Sequence, residues 1–312
     1  MSNDDVMVSI ILTTYKRSRL LYESVYSVLN GTYTNFEIII VDDCSNDDTE
    51  AVANKIIDEN RSFRIRYLKQ EVNKGVLAAR NRGFDEATGD LIAILDDDDT
   101  LVPDALEKIV TMYYRLPEPE RGILWFDCLD KESNQKSGNT SLPEGRITYE
   151  DYLCGKIRGD FWLVFSKYVL DGQRFDERLR AHESLFWLKL HKDFPATYVP
   201  DVVCVKAREH GERLCDIEKR LEQLPFTLLA MYEFLDQFGT DLRRLFPRDY
   251  GRRLAYYGLH QIMIGQYREG RKSILNSLTF VFSFKYIAVY SLSFLCSKYV
   301  FQKIYVYLES NS

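Results

Sequence analysis

The sequence predicts an α/β protein with a mainly parallel central sheet flanked by helices and a helical region at the C-terminal end. Three observations carry this. Short apolar runs alternate with amphipathic helical patterns through the N-terminal half of the chain, and that alternation makes crossover connections and parallel strand pairs. Polar clusters stand directly after several of the apolar runs. The chain has 312 residues, 46% of them hydrophobic, enough for a large core and a smaller one.

The elements follow in order. VMVSIILTT (6–14) is rich in β-branched residues and reads as a buried strand. The stretch 18–29 sets Leu21, Val25, Val28 and Leu29 on one helical face, with Ser18 as the expected cap. FEIIIVDD (36–43) is a second buried strand, and SNDDTEAVANKIIDEN continues as a helix with cap-like Ser45 and Asp47. IRYLKQ (65–70) is a third strand, GVLAARNRGFDEA (75–87) a helix, and LIAIL (91–95) a fourth strand. Pro103 suits the first turn of a helix reaching about Tyr114. ILWFDCLD (123–130) precedes a polar stretch, 131–145, that reads as a surface loop. A helix is expected around 182–192 and a strand over 196–209; beyond about 215 helical patterns dominate. This divides the chain into a domain over 1–215 and a C-terminal region over 216–312.

Composition excludes several classes. Forty-one basic against forty-seven acidic residues give a net charge of −6, so bulk charge does not favour nucleic acid. The six cysteines form no C-x-x-C pair, so neither zinc nor a disulfide framework is expected, and reduced cytoplasmic thiols are the default. MSNDD is polar and acidic, and we expect no secretory signal peptide.

LDDDDTLVP poses the sharpest question. Asp96, Asp97, Asp98 and Asp99 follow a buried strand without a spacer. Adjacent carboxylates repel, and each pKa rises unless a cation joins them. Either water screens them in a loop capping the Pro103 helix, or they hold a hard divalent cation. In parallel sheets ligands bind outside the carboxyl ends of the strands. Thr13-Thr14-Tyr15, Asp42-Asp43 and the Asp cluster should therefore converge on one rim.

Five segments in order, VSIILTTYKR, EIIIVDDCSNDDT, NKGVLAARNRG, LIAILDDDDTLVP and the helix around HESLFWLKL, resemble the family 2 glycosyltransferases. These are inverting enzymes of the GT-A fold, a Rossmann-like arrangement, and the likeness covers roughly the first 210 residues. The resemblance implies a nucleotide-sugar donor, UDP-linked by expectation, and a glycan or lipid-linked acceptor. It places Thr13 and Tyr15 at the nucleotide base, with Asp43 accepting from uracil and Asp42 fixing the loop. Arg80 would meet the diphosphate or, as an alternative, form an ion pair with the Asp cluster. Asp96, Asp97 and Asp98 correspond to the D-x-D motif: Asp96 and Asp97 at the donor, Asp96 and Asp98 at Mn²⁺ or Mg²⁺. The resemblance also answers the question of the four charges, by a divalent cation that neutralises them. Glu183 aligns with the catalytic base and His182 with the residue before it. Both depart from the usual Glu-Asp pair, which keeps a non-catalytic GT-A scaffold open as an alternative. A nucleotidyltransferase is disfavoured because TTYKRSRL lacks glycine. Arg208 and His210 are candidate diphosphate contacts.

Between Ile274 and Leu308 lie ten aromatic residues, Lys285, Lys298 and Lys303, and no acid. Its uncharged runs are too short to span a bilayer. The expectation is an interfacial amphipathic surface that touches the inner face of the cell membrane, or a subunit contact.

Overall fold

Val8–Thr14, seven consecutive buried residues, forms strand β1. Phe36–Asp42, equally buried, forms β2 and pairs with it in parallel. Strands buried on both faces read as unbroken apolar runs, which is why their positions were plain in the sequence. The structure, a computed structural model, describes residues 6–138, 142–180, 182–207 and 221–303. Two units divide the chain, Met1–Glu209 and His210–Ser312.

In the first unit, helix α1 (Ser18–Leu29) buries Leu21, Val25, Val28 and Leu29, the stripe expected of it. Ser18 is its first helical residue rather than its cap; Arg17 takes the cap position, with no side-chain cap bond. Helix α2 is Thr49–Glu59, and the Asp47 carboxylate accepts from the Thr49 backbone N–H at 3.1 Å. Strand β3 (Arg64–Lys69) pairs with β2, and helix α3 (Val76–Glu86) returns to β4 (Leu91–Asp96) beside β1. Gly83 lets α3 lie against β1: a Cβ there would stand 2.3 Å from Ile11 Cγ2.

After β4 come the short β5 (Thr100–Leu101), helix α4 (Ala105–Arg115), β6 (Ile123–Asp130), β7 (Gly145–Ile147), helix α5 (Tyr149–Leu153) and β8 (Phe161–Ser166). Helix α6 (Ser184–Asp193) and β9 (Ala196–Lys206) complete the unit. The sheet order is β3-β2-β1-β4-β8-β6-β9-β5, with β7 on β9. The first four strands and the β6–β9 pair are parallel; β8 runs antiparallel to both β4 and β6. FWLVFS, for which no strand is expected from the sequence, is the strand that joins the two halves of the sheet. Trp162, on that strand, donates its indole N–H to the Ile94 carbonyl at 2.8 Å. The stretch expected to be a polar loop also gives up its end: Gly145 opens β7 rather than closing a loop.

The second unit contains α7 (Leu224–Leu245), α8 (Pro247–Met263), α9 (Tyr267–Ser277) and α10 (Phe284–Leu292). Helices α8 and α9 cross at Gly258 and Gly270, where a Cβ on either would come within 2.7 Å of the other's carbonyl oxygen. Leu224, Ile262, Met263, Ile274 and Phe301 make its small core. Among the described residues no helix is long and apolar enough to cross a membrane.

Candidate active site

The register of the sheet assembles the site. Thr13 stands beside Val41 on one side and Asp96 on the other, and Thr14 stands beside Asp42. The carboxyl ends of β1, β2 and β4 therefore meet on one rim, as the topology required. Among the described residues four non-glycine residues have positive φ, and three of them, Lys16 (56°), Cys44 (68°) and Arg180 (56°), flank this rim. Backbone strain of this kind persists where the surroundings over-determine the chain, and it gathers at functional sites. The Lys16 N–H donates to Ser45 Oγ at 2.8 Å, tying the first loop to the second.

The four aspartates have four environments. Asp96 receives Arg80 Nη2 at 2.9 Å and has Lys206 Nζ at 3.5 Å. Removal from water opposes its charge, but the two cations outweigh that and hold its carboxyl far below the usual range. Asp97 is buried; it accepts from Thr14 Oγ1 at 2.7 Å and pairs with Arg17 at 3.0 Å. Burial still pushes its pKa up to about 6. Asp98 faces Arg17 at 3.3 Å, and burial together with Asp96 raises its pKa. Asp99 is buried, and its carboxylate meets Lys206 Nζ. Burial raises its pKa to about 7, with Lys206 opposing and Asp96 and Asp98 reinforcing.

Arg17, Arg80 and Lys206 thus neutralise most of the cluster from within the protein. This corrects the expectation that a divalent cation alone makes four adjacent charges tolerable. Arg80 takes the ion-pair alternative left open by the sequence, and goes further. Its Nη1 donates to Glu183 while Nη2 donates to Asp96, so one guanidinium joins the expected base to the acidic motif. Glu183 occupies the cap position of α6 but makes no side-chain cap bond. Its carboxylate turns to Arg80 instead, which argues against a purely helix-capping role. His182 precedes it, and burial lowers its pKa.

Asp42 is fully buried; it accepts from the Ser45 N–H at 2.8 Å and the Tyr67 hydroxyl at 2.5 Å. It braces the loop, as expected. Asp43 braces a second one, accepting from Gln70 Nε2 and the Lys74 N–H at 2.8 Å each and from the Gly75 N–H at 2.7 Å. Burial raises its pKa all the same. Thr13 is buried on β1, and Tyr15 is exposed with Lys16 Nζ 5.0 Å from its ring centre.

Arg208 and His210 lie outside the described residues. The basic residue that reaches the cluster from the last strand is Lys206, at the end of β9. The pairing of β9 with β5, Val205 opposite Thr100, brings it there, and no local pattern in the sequence announces that. Arg17 was missed for the same reason. His191 is structural: Trp125 Nε1 donates to its Nε2 at 3.0 Å, its Nδ1 lies 2.7 Å from the Trp187 carbonyl, and burial pushes its pKa down to about 4.

Residues 9–118 match the family model described as "Glycosyl transferase family 2". Over 190 residues the chain is 38% identical to UDP-Glc:alpha-D-GlcNAc-diphosphoundecaprenol beta-1,3-glucosyltransferase WfgD of Escherichia coli, a match covering 61% of this chain and 72% of that relative. The chain belongs to glycosyltransferase family 2. It is also 32% identical over 190 residues to GalNAc(5)-diNAcBac-PP-undecaprenol beta-1,3-glucosyltransferase of Campylobacter jejuni, spanning 60% of that protein's length and 60% of its own. In structure it is similar to the mannosyltransferase PcManGT from Pyrobaculum calidifontis, solved with GDP-Man and Mn²⁺. That likeness has a TM-score of 0.56 at 15% identity and covers 95% of this chain and 86% of the other. At such low identity it shows the fold, which is GT-A. The glycosyltransferase model ends at residue 118 and so does not reach His182 and Glu183.

Proposed function

We propose that this protein is an inverting, metal-assisted glycosyltransferase. It moves a sugar from a UDP-linked donor to a glycan carried on a lipid diphosphate. The observation that carries this reading is the Arg80 bridge. It holds an acidic side chain at the start of α6 against Asp96 of the D-x-D motif, and a general base has to stand beside the donor that this motif would hold. The named activities of the E. coli and C. jejuni relatives make UDP-glucose the first donor to test and an undecaprenyl-diphosphate glycan the first acceptor.

Glu183 accepts the proton of the acceptor hydroxyl as the oxygen attacks the anomeric carbon. The bond to the diphosphate oxygen breaks in the same displacement, UDP departs, and the configuration inverts. Asp43 and Tyr15 hold the base, and Asp96 the ribose side of the donor.

The residues fit a hard cation. Asp98 is partly exposed, raised in pKa by burial and by Asp96, and held only loosely by Arg17. Among the described residues no three acidic, histidine or cysteine side chains close on one point. Such an open set suits Mg²⁺ or Mn²⁺, which commonly takes one or two carboxylates and completes its shell with phosphates and water. Asp98 and Asp96 would hold the ion, which supplies charge neutralisation at the departing diphosphate when bound.

The test is UDP release from UDP-glucose, with and without an undecaprenyl-diphosphate glycan and Mn²⁺, for the wild type, Glu183→Gln and Asp98→Ala. Glu183→Gln should lose roughly 100-fold or more in turnover while binding UDP normally. Asp98→Ala should lose Mn²⁺-dependent UDP binding. A Glu183→Gln enzyme that transfers at the wild-type rate would remove Glu183 as base. A folded wild type that binds no nucleotide would favour the scaffold alternative.

A further inference from the structure

The second unit presents an unusual surface. Phe282, Phe284, Phe294, Leu295 and Tyr299 are between 59% and 85% exposed, all within eighteen residues of chain. Single exposed apolar side chains are ordinary on a soluble protein, whereas a concentration of large ones marks a contact surface. Some of these rings have neighbours, but they remain open to solvent: Phe282 meets Phe284 edge-on at 5.1 Å, and the Arg271 guanidinium lies 4.1 Å from the centre of Phe294.

Charge selects the partner. From Gly270 to Lys303 the chain carries Arg271, Lys272, Lys285, Lys298 and Lys303 and no acidic residue, although the protein as a whole is at −6. A second copy of the same face would bring these cations together. An anionic surface would pair with them. Aromatic rings beside lysines, on helices too short to cross a bilayer, is the composition of an interfacial lipid contact.

We propose that the segment from Phe282 to Tyr299, which carries Phe284, Leu295, Lys285 and Lys298, docks on the surface of an anionic lipid bilayer, its exposed rings and leucine entering the headgroup boundary and its lysines meeting lipid phosphates. The docking goes beyond the transfer reaction proposed above and stands on separate residues, so either can fail without the other.

The experiment is flotation of the full chain with vesicles of phosphatidylcholine alone and of phosphatidylcholine with phosphatidylglycerol. It uses the wild type, Phe284→Ser/Leu295→Ser and Lys285→Gln/Lys298→Gln. Circular dichroism and a cooperative thermal melt show that each variant is folded. The wild type should float with the anionic vesicles, and salt should weaken the binding because exposed charges are screened. Each lost lysine charge should weaken binding about fivefold, so the lysine pair gives about 25-fold. The Phe284→Ser/Leu295→Ser variant should lose roughly tenfold or more. Three results would overturn the proposal: a folded wild type that stays in the aqueous fraction, equal binding to both vesicle types, or variants that float as the wild type does. A wild-type dimer that Phe284→Ser/Leu295→Ser dissociates, without vesicle binding, would overturn it in favour of self-association.

Discussion

Lys206→Met isolates the charge balance of the acidic rim. Methionine keeps the length of the side chain and removes the cation that faces Asp99 and Asp96. Asp99 is only 2% exposed, so its carboxylate is left without its ammonium in a place water barely reaches. Removing one partner of a buried pair commonly costs about 3–5 kcal/mol. Asp99 has an escape, because a proton can replace the cation. Its pKa is already pushed up to about 7, by burial first, with Lys206 opposing. Without Lys206 it must rise further. A carboxyl whose folded pKa lies above its unfolded value stabilises the fold fully at pH below about 4 and loses that contribution as pH rises through the folded value. In the wild type this loss is nearly complete by about pH 8. In the variant it continues beyond, at about 1.4 kcal/mol for each further unit of pKa. The deficit of the variant should therefore grow by up to about 2 kcal/mol between pH 6 and pH 8.5. For a unit of this size that growth corresponds to a further drop in Tm of about 4–8 °C. Thermal melts of both proteins across this pH range read the difference directly. A deficit that is equal at the two pH values, or larger at pH 6, would refute the reasoning, since it would mean that Lys206 stabilises by packing rather than by charge.

Two further substitutions follow from the same geometry. Arg80→Gln releases Glu183 and Asp96, which are 41% and 38% exposed and can be hydrated. Stability should change by less than about 1 kcal/mol, while turnover falls roughly 100-fold because the base is no longer oriented. Loss of UDP binding together with the loss of rate would point to a donor contact instead. Asp43→Asn removes the charged acceptor of the Lys74 and Gly75 N–H groups and of Gln70. The 70–75 loop should be cleaved faster by a nonspecific protease and UDP affinity should fall about tenfold, as charge-assisted hydrogen bonds are worth roughly 1.5–3 kcal/mol; normal UDP affinity would show that Asp43 and its loop do not touch the nucleotide.

The sequence made the rim legible because the rule behind it is topological. Once β1, β2 and β4 are parallel neighbours, Thr13, Asp42 and Asp96 must share one edge, whatever the loops do. The cations escaped notice for the converse reason. Arg17 belongs to the loop before α1, and Lys206 lies more than a hundred residues from Asp99 in sequence. Ion partners of that kind are set by the packing of distant strands, and no spacing rule encodes it. FWLVFS escaped because a short apolar run between irregular segments has no period to distinguish a strand from a buried turn of helix. The Ser18 cap failed on a finer point: the helix starts one residue earlier than a side-chain cap would set it, with Arg17 at the boundary and its guanidinium committed to Asp97 and Asp98. A residue with long-range work to do took precedence over local capping.

The four aspartates that look identical in the sequence have been divided by their neighbours. Asp97 and Asp99 are buried, and each is tied to the frame, one by Thr14 and Arg17 and the other by Lys206. Asp96 and Asp98 keep access to solvent, and they are two residues apart, so both can meet the same ligand. Three protein cations set against the four carboxylates of Asp96 to Asp99 leave that cluster with about one negative charge when all four are ionised. A rim with four unopposed charges would hold a hard cation strongly whether or not a donor was present, and would repel a diphosphate. A fully neutral rim would attract neither. The residual charge, placed on the two accessible carboxylates, favours a cation that brings phosphate oxygens with it. The same Arg80 that supplies part of this balance also grips Glu183. On the proposed mechanism, whatever draws Asp96 toward a nucleotide acts on Glu183 through a single guanidinium, so that one side chain would couple the donor site to the acceptor's proton.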